Sequence, residues 1–154
     1  MLLRHAKATQ DIVELADRER PLLASGLKAA KKLGKYLDSK KIKIDLILSS
    51  PAVRAHQTAQ VIQKMLGMKD RNVRIHEDLY SSDCLTLIKV AGQTSNDIRS
   101  LMLVGHNPEL DEVASFFLHK YHHFKTCALV ILKFDIESWT DIEHSKPQKI
   151  LVVD

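Results

Sequence analysis

Asp45-Leu46-Ile47-Leu48-Ser49-Ser50-Pro51-Ala52-Val53-Arg54-Ala55-His56-Gln57-Thr58-Ala59 is the stretch that decides the fold of this chain. Residues 45–49 are a short apolar run of strand length. Ser50-Pro51 follows at once, a capping residue with proline at the first helical position. The pair predicts a helix running to Leu66 or Gly67, and Gly67 is suited to end it. The same arrangement returns at Leu101-Met102-Leu103-Val104, a strand followed by Gly105-His106-Asn107-Pro108. Asn107 and Pro108 repeat the cap-plus-proline start, and Leu110, Val113, Ala114, Phe117 and Leu118 mark an amphipathic helix.

On the N-terminal side, Leu2 and Leu3 read as the end of a buried strand, and residues 5–21 as a polar loop. From Leu22 to Asp38 the apolar positions Leu23, Leu27, Ala30, Leu33 and Leu37 recur at helical spacing. Asn72 to His76 reads as a strand, residues 77–83 as a loop, and Asp83 to Gly92 as a weakly patterned helix. Cys127 to Phe134 is a nearly continuous apolar run, expected of a strand covered on both faces. Weaker strand signals follow at Ser138–Ile142 and Ile150–Val153. Strands alternating with helices predict an α/β domain with a mostly parallel sheet. With 154 residues and no linker, repeat or low-complexity segment, residues 1–154 are expected to form a single domain.

Composition narrows the function classes. Hydrophobic residues make up 45% and charged residues 27%, an ordinary globular balance that excludes a disordered chain. No window approaches the roughly 18 apolar residues that span a bilayer, so no membrane role is expected. Lys and Arg outnumber Asp and Glu by 23 to 19, a charge of +4 that suits an anionic substrate without naming one. Lys28, Lys31, Lys32 and Lys35 fall where the first helix would face solvent, so no nucleic-acid partner is called for. Cys84 and Cys127 are far apart and lack a paired spacing, which fits a reduced, cytoplasmic protein. Only Met1-Leu2-Leu3 precede Arg4, too little for a core strand, so residues upstream of Met1 or another start codon are expected.

In open α/β sheets ligands gather at the carboxyl ends of the strands. Three polar motifs fall there: Arg4-His5, Ser49-Ser50-Pro51 with Arg54, and Gly105-His106-Asn107. Their chemistry suits phosphoryl transfer, which needs a nucleophile and positive charge around the equatorial oxygens. A neutral imidazole of His5 can attack phosphorus covalently without a metal. Arg4 and Arg54 offer always-charged forks matched to phosphate oxygens. His106 can donate a hydrogen bond to the same oxygens or stabilise them as imidazolium. Arg54 in a helix's first turn opposes the dipole, so it needs a local anion or a solvent role. Singly each signal is weak, and an Arg-His pair is common by chance; their convergence at strand ends carries the reading.

Leu3-Arg4-His5-Ala6-Lys7 resembles the Arg-His signature of the histidine phosphatase superfamily, which also contains the cofactor-dependent phosphoglycerate mutases. Residues 50–59 are similar to its second signature, S-P-x-x-R-A-x-Q-T-A, and Val104-Gly105-His106-Asn107-Pro108 to its third. Order, spacing and size look most like the SixA-type phosphohistidine phosphatases, as do Asp17-x-x-Arg20-Pro21-Leu22 and the stretch from Phe134-Asp135 to Trp139. The resemblance implies a phosphoglycerate mutase-like three-layer sandwich with helices on both faces of the sheet. It also implies transient phosphorylation of His5, in a pocket completed by Arg4, Arg54 and His106. Arg20 would either approach that pocket from its loop or anchor the loop by a surface ion pair. No cofactor and no metal are implied.

Larger members of this superfamily carry a Glu after the third strand, in a Leu-x-Glu pattern, that protonates the leaving oxygen. Here the matching stretch is Leu79-Tyr80-Ser81, without a carboxylate; Glu77, Asp78 and Asp83 are near in sequence but need another geometry. General-acid help is worth about 10²–10⁴-fold to an alkoxide. An imidazole leaves far more readily, so the gap favours phosphohistidine over sugar phosphate. Few residues remain for a lid, so an open site that receives a side chain from another protein is expected, on a monomer. Two rivals stand beside this reading. One is a broad small-molecule phosphomonoesterase using Glu77 or Asp78 as acid; the other, of a different class, is a catalytically dead phosphate-binding module. His119, His122 and His123 lie close together but lack a matching ligand set, so a solvated loop is expected there rather than a metal site. His56 has no claim beyond a place on the rim, and His76 has none.

Overall fold

A computed structural model describes residues 1–10 and 15–154; positions 11–14, part of the expected 5–21 loop, lie outside the described residues. The sheet has six strands: β1 (Leu2–Arg4), β2 (Leu46–Ser49), β3 (Val73–Ile75), β4 (Leu101–Gly105), β5 (Leu129–Lys133) and β6 (Lys149–Val153), in the order β3-β2-β4-β1-β5-β6. The four from β3 to β1 run parallel, and β5 and β6 add antiparallel at one side. The expected mostly parallel sheet is therefore present.

Among the described residues four α-helices cover it: α1 (Ala24–Ser39), α2 (Val53–Met65), α3 (Cys84–Gly92) and α4 (Glu109–Leu118). Strand side chains alternate between faces at a period of two. Leu3, Ile47, Met102, Val104 and Leu129 meet Leu33 and Leu37 of α1 and Ala55, Ala59 and Ile62 of α2. Leu2, Leu46, Leu48, Leu101, Leu103 and Val130 meet Leu87 and Ile88 of α3 and Leu110, Val113 and Phe117 of α4. Helix, sheet and helix make the three-layer sandwich that the motifs implied.

One of the shortest strands is also central. β1 lies between β4 and β5, Leu3 is fully buried, and the Leu103 N–H donates to the Met1 carbonyl at 2.9 Å. β1 is paired on both sides, parallel to β4 and antiparallel to β5.

Four expectations need correction. Helix α2 starts at Val53, with Ala52 as its N-cap and no side-chain cap bond. Ser50 thus lies outside the helix, and its hydroxyl accepts from the Ala52 N–H at 3.2 Å. Helix α4 starts at Glu109 after Pro108, and the Asn107 amide donates instead to the Phe124 carbonyl at 3.1 Å. Both polar residues are drawn inward by tertiary partners that a local capping pattern cannot show. The stretch Ser138–Ile142 is not a strand: Trp139–His144 is a 3₁₀ helix whose first turn is capped by Ser138. Trp139 leans on the α3/α4 core and donates from its indole to the Ile98 carbonyl at 2.6 Å, which curls the segment around that ring. Finally, β5 is buried only at its beginning; Ile131 and Leu132 are half-buried because the helices do not reach this far across the sheet.

Candidate functional site

Register brings the three motifs together. Arg4 pairs with Gly105 across β1 and β4, and Ser49 with Val104 across β2 and β4. The chain leaves all three adjacent strands at one level, with His5, Ser50 and His106 as the next residues. The His5 N–H donates to the Gly105 carbonyl at 3.1 Å and the Ser50 N–H to the Val104 carbonyl at 2.9 Å, extending the ladder into the site.

His5 is oriented by the backbone beside it. Its Nδ1 lies 2.8 Å from the Ala6 carbonyl oxygen. A carbonyl only accepts, so Nδ1 carries the proton and Nε2 keeps its lone pair. Burial pushes the pKa of the ring down to about 4, the Ala6 bond opposes this, and Arg54, Arg4 and Arg20 push it down further. A neutral imidazole with a free Nε2 has the form a nucleophile requires.

Arg54, in the first turn of α2, is 5% exposed. Its Nε lies 3.4 Å from His5 Nε2, while Nη1 donates to the Asp17 backbone carbonyl and Nη2 to Asp17 Oδ2 at 2.8 Å. Asp17 is thus the local anion that this position demands against the dipole. Its pKa drops to about 2: burial opposes the shift, and bonds from Arg54, Tyr80 and Arg20 outweigh it. Arg20 pairs with Asp17 and donates to the Thr9 carbonyl at 3.0 Å, so it anchors the loop. Through Asp17 it reaches the pocket only at one remove.

Arg4 donates from Nη1 to the Phe124 carbonyl at 2.6 Å, while its Nε is buried with no partner among the described residues. His106 is 8% exposed, its ring centroid 5.0 Å from that of His5 and 5.5 Å from that of Tyr80. His106 Nε2 lies 2.8 Å from Ser50 Oγ. That oxygen accepts from Ala52, and Nε2 is the partner within reach of its hydroxyl proton; with Ser50 donating, a neutral His106 carries its own proton on Nδ1. Nδ1 is likewise buried without a partner among the described residues. Burial, then the neighbouring His5 and Arg54, lower the His106 pKa to about 3. Of the two roles open to His106, the lowered pKa supports a neutral donor.

Several residues escaped sequence reading as parts of this site. Thr58 Oγ1 accepts from the Ala6 N–H at 3.0 Å and donates to the Arg54 carbonyl at 2.7 Å, tying the His5 loop to α2. Gln57 Oε1 accepts from the Leu22 N–H at 2.8 Å. Both were visible in the 50–59 motif without a role. Tyr80 donates its hydroxyl to Asp17 Oδ2 at 3.0 Å, and Ser50, read as a cap within its strand-end motif, had no role of its own in the pocket. Phe124 acts through a backbone carbonyl, which leaves no trace in side-chain chemistry.

The candidate acids are turned elsewhere. Glu77 accepts from Arg18 at 2.9 Å, Asp78 lies 4.0 Å from His76, and Asp83 caps α3 by accepting from the Thr86 N–H at 2.7 Å. His56 lies 3.1 Å from Gln60 on α2. His123 lies 2.8 Å from Asp111, and no group of three metal-ligating side chains occurs among the described residues. No helix among them is long and apolar enough to cross a membrane.

Residues 1–107 match the family model of the histidine phosphatase superfamily (branch 1). The chain belongs to that superfamily. An uncharacterized chloroplastic protein of Arabidopsis thaliana is 31% identical over 154 residues, covering 92% of this chain and 68% of the relative. The phosphohistidine phosphatase SixA of Escherichia coli is 25% identical over 109 residues, 70% of this chain and 66% of SixA. Among solved structures, one described as a putative phosphohistidine phosphatase SixA from Agrobacterium tumefaciens superposes with a TM-score of 0.78. It is 27% identical and covers 99% of this chain and 96% of its own. Membership and neighbours together support a phosphatase of SixA-like fold.

Proposed function

We propose that this chain is a protein phosphohistidine phosphatase that works through a phosphorylated His5. The observation that carries the reading is one constellation. The lone pair on His5 Nε2 faces Arg54 Nε, and two buried donors nearby, Arg4 Nε and His106 Nδ1, have no partner among the described residues. Unpaired buried donors are costly, and three phosphoryl oxygens would satisfy them.

In the first step the Nε2 lone pair of His5 attacks phosphorus. The substrate's nitrogen–phosphorus bond breaks, and its electron pair stays with the departing imidazole, whose other ring nitrogen already carries a proton, so that it leaves neutral. Arg4, Arg54 and His106 hold the equatorial oxygens as charge shifts. In the second step water attacks phosphorus, the His5–phosphorus bond breaks, and inorganic phosphate leaves with Nε2 again free. Positive charge comes from the two arginines, so the scheme asks no metal of the site. It fits the absence of Glu77, Asp78 and Asp83 from contact with these groups, because imidazole departs with little acid help.

Incubating the chain with a phosphohistidine-bearing protein tests this directly. Turnover should outpace that of simple phosphate esters, survive chelator, and leave an acid-labile phosphoryl label on the enzyme. His5→Ala should abolish both turnover and label. Faster ester hydrolysis that is lost on Asp78→Asn would favour the small-molecule esterase instead, and undiminished activity of His5→Ala would remove the nucleophile assignment.

A further inference from the structure

Arg4 is held differently from its counterpart. Arg54 has the Asp17 carboxylate against its fork, whereas the contact made by Arg4 is to a neutral carbonyl, that of Phe124, 120 residues away in sequence. Phe124 sits in the irregular segment between α4 and β5, where a backbone oxygen would ordinarily be free to move. It is instead fully buried, and its N–H donates to Asp111 Oδ1 at 2.8 Å. The other carboxylate oxygen, Oδ2, lies 2.8 Å from His123 Nδ1. Asp111 itself is 7% exposed, in the first turn of α4, where the helix dipole favours a negative charge. The Asn107 amide converges on the same Phe124 oxygen from the strand-end motif that carries His106.

We infer that Asp111 is a positioning residue for Arg4: it clamps the Phe124 peptide from the N–H side so that its carbonyl fixes the guanidinium toward the phosphoryl pocket. This rests on the phosphatase reading, but the link from Asp111 to Arg4 has its own test. The arrangement leaves Arg4 Nε without a partner among the described residues instead of spent on a carboxylate. A carboxylate bound directly to Arg4 would compete with the phosphoryl group, whereas a carbonyl steadied from behind does not. Electrostatics agree: burial lowers the pKa of Arg4, and Asp111 is the charge that opposes this. Charge compensation thus reaches Arg4 through space while its Nε stays unpaired among the described residues.

Asp111→Ala and Asp111→Asn provide the test. Asparagine keeps an oxygen for the Phe124 N–H and an amide for His123, so it should restore most of what alanine loses. In Asp111→Ala, KM for the phosphohistidine substrate and the inhibition constant for vanadate should each rise about tenfold, with kcat changed less than about threefold, because Arg4 grips the phosphoryl group before and during reaction. Independently of turnover, the ¹⁵N-edited guanidinium signals of Arg4 should broaden in alanine and sharpen again in asparagine. Should the alanine variant not fold, exchange of the Phe124 amide in the unmodified protein decides: vanadate binding at Arg4 should slow it. Arg4 signals identical in Asp111→Ala, kinetics unchanged despite altered signals, or Phe124 exchange indifferent to bound vanadate would each overturn the inference. A protein that shows the Arg4 effect yet turns over no phosphorylated substrate would instead overturn the phosphatase reading and leave the Asp111–Arg4 link standing.

Discussion

Ser50 shows how a single residue acquires a role that its local pattern conceals. A serine before proline reads as a helix cap, yet here its hydroxyl spans the Ala52 N–H and His106 Nε2. By donating to Nε2 it favours the His106 proton on Nδ1, an atom buried without a partner among the described residues. Ser50→Ala should therefore leave Nε2 without a partner and free the ring to change tautomer. A lost hydrogen bond of this kind is worth about 0.5–1.5 kcal/mol, so kcat/KM should fall by a factor of about 2 to 12. The ring ¹⁵N shifts of His106 should at the same time move away from the Nδ1–H pattern. A tautomer and a rate both unchanged would show that Ser50 does not set the proton's place. Asp17 has the same lesson in its charge: its contact with Arg54 answers the dipole objection to an arginine in a helix's first turn.

Between secondary-structure elements, the site depends on how closely α1 approaches the His5 loop. A Cβ built on Gly26 would lie 2.1 Å from the Lys7 carbonyl oxygen, a backbone atom with nowhere to go. The same carbonyl accepts from the Leu23 N–H at 3.0 Å, so the first turn of α1 is docked on the segment just after His5. Gly26→Ala adds helix propensity, which is normally stabilising, but the clash opposes it. Overpacking costs typically about 1–3 kcal/mol, more than the propensity gain, so the variant should be less stable by denaturant unfolding. It should also lose activity, because the Lys7 shift moves the Ala6 carbonyl that orients His5. A more stable and fully active alanine variant would mean that the loop can slide. Helical periodicity alone places Leu27 on the buried face, yet it is 37% exposed, and Gly26 occupies that contact instead.

Across the fold as a unit, burying two neutral imidazoles beside two arginines ties stability to pH. His5 and His106 have folded pKa values of about 4 and about 3, below the ordinary 6.5. As the pH falls below 6.5 the unfolded chain takes up protons at both rings that the folded chain refuses, so the unfolded state gains. Their contribution to stability is complete above about pH 6.5 and is lost as the pH falls through the folded values. Asp17, depressed to about 2, adds in the same direction at lower pH, although its exposure weakens its share. The melting temperature in phosphate-free buffer should be flat above neutrality and decline from about pH 6.5 toward pH 4. The decline should be shallower in His106→Gln. An equal slope in that variant would place the acid sensitivity elsewhere.

Much of this protein is legible along the chain. Apolar runs at 45–49 and 101–104, each followed by a polar turn and an amphipathic helix, determine an α/β sheet, because periodicity follows from local backbone geometry. Those runs, together with Leu2-Leu3, put Arg4, His5, Arg54 and His106 near strand ends, where parallel sheets collect ligands. What the tertiary structure decided is everything that needs two distant segments in contact. Strand register sets Arg4 level with Gly105 and Ser49 level with Val104, which turns three separate motifs into one pocket. Folding also turned Ser50 and Asn107 from caps into inward partners and curled residues 139–144 around Trp139. It brought Asp17 to Arg54 and the Phe124 carbonyl to Arg4. Hydrogen bonds of that kind depend on backbone placement and burial, and neither leaves a local signature in residue type.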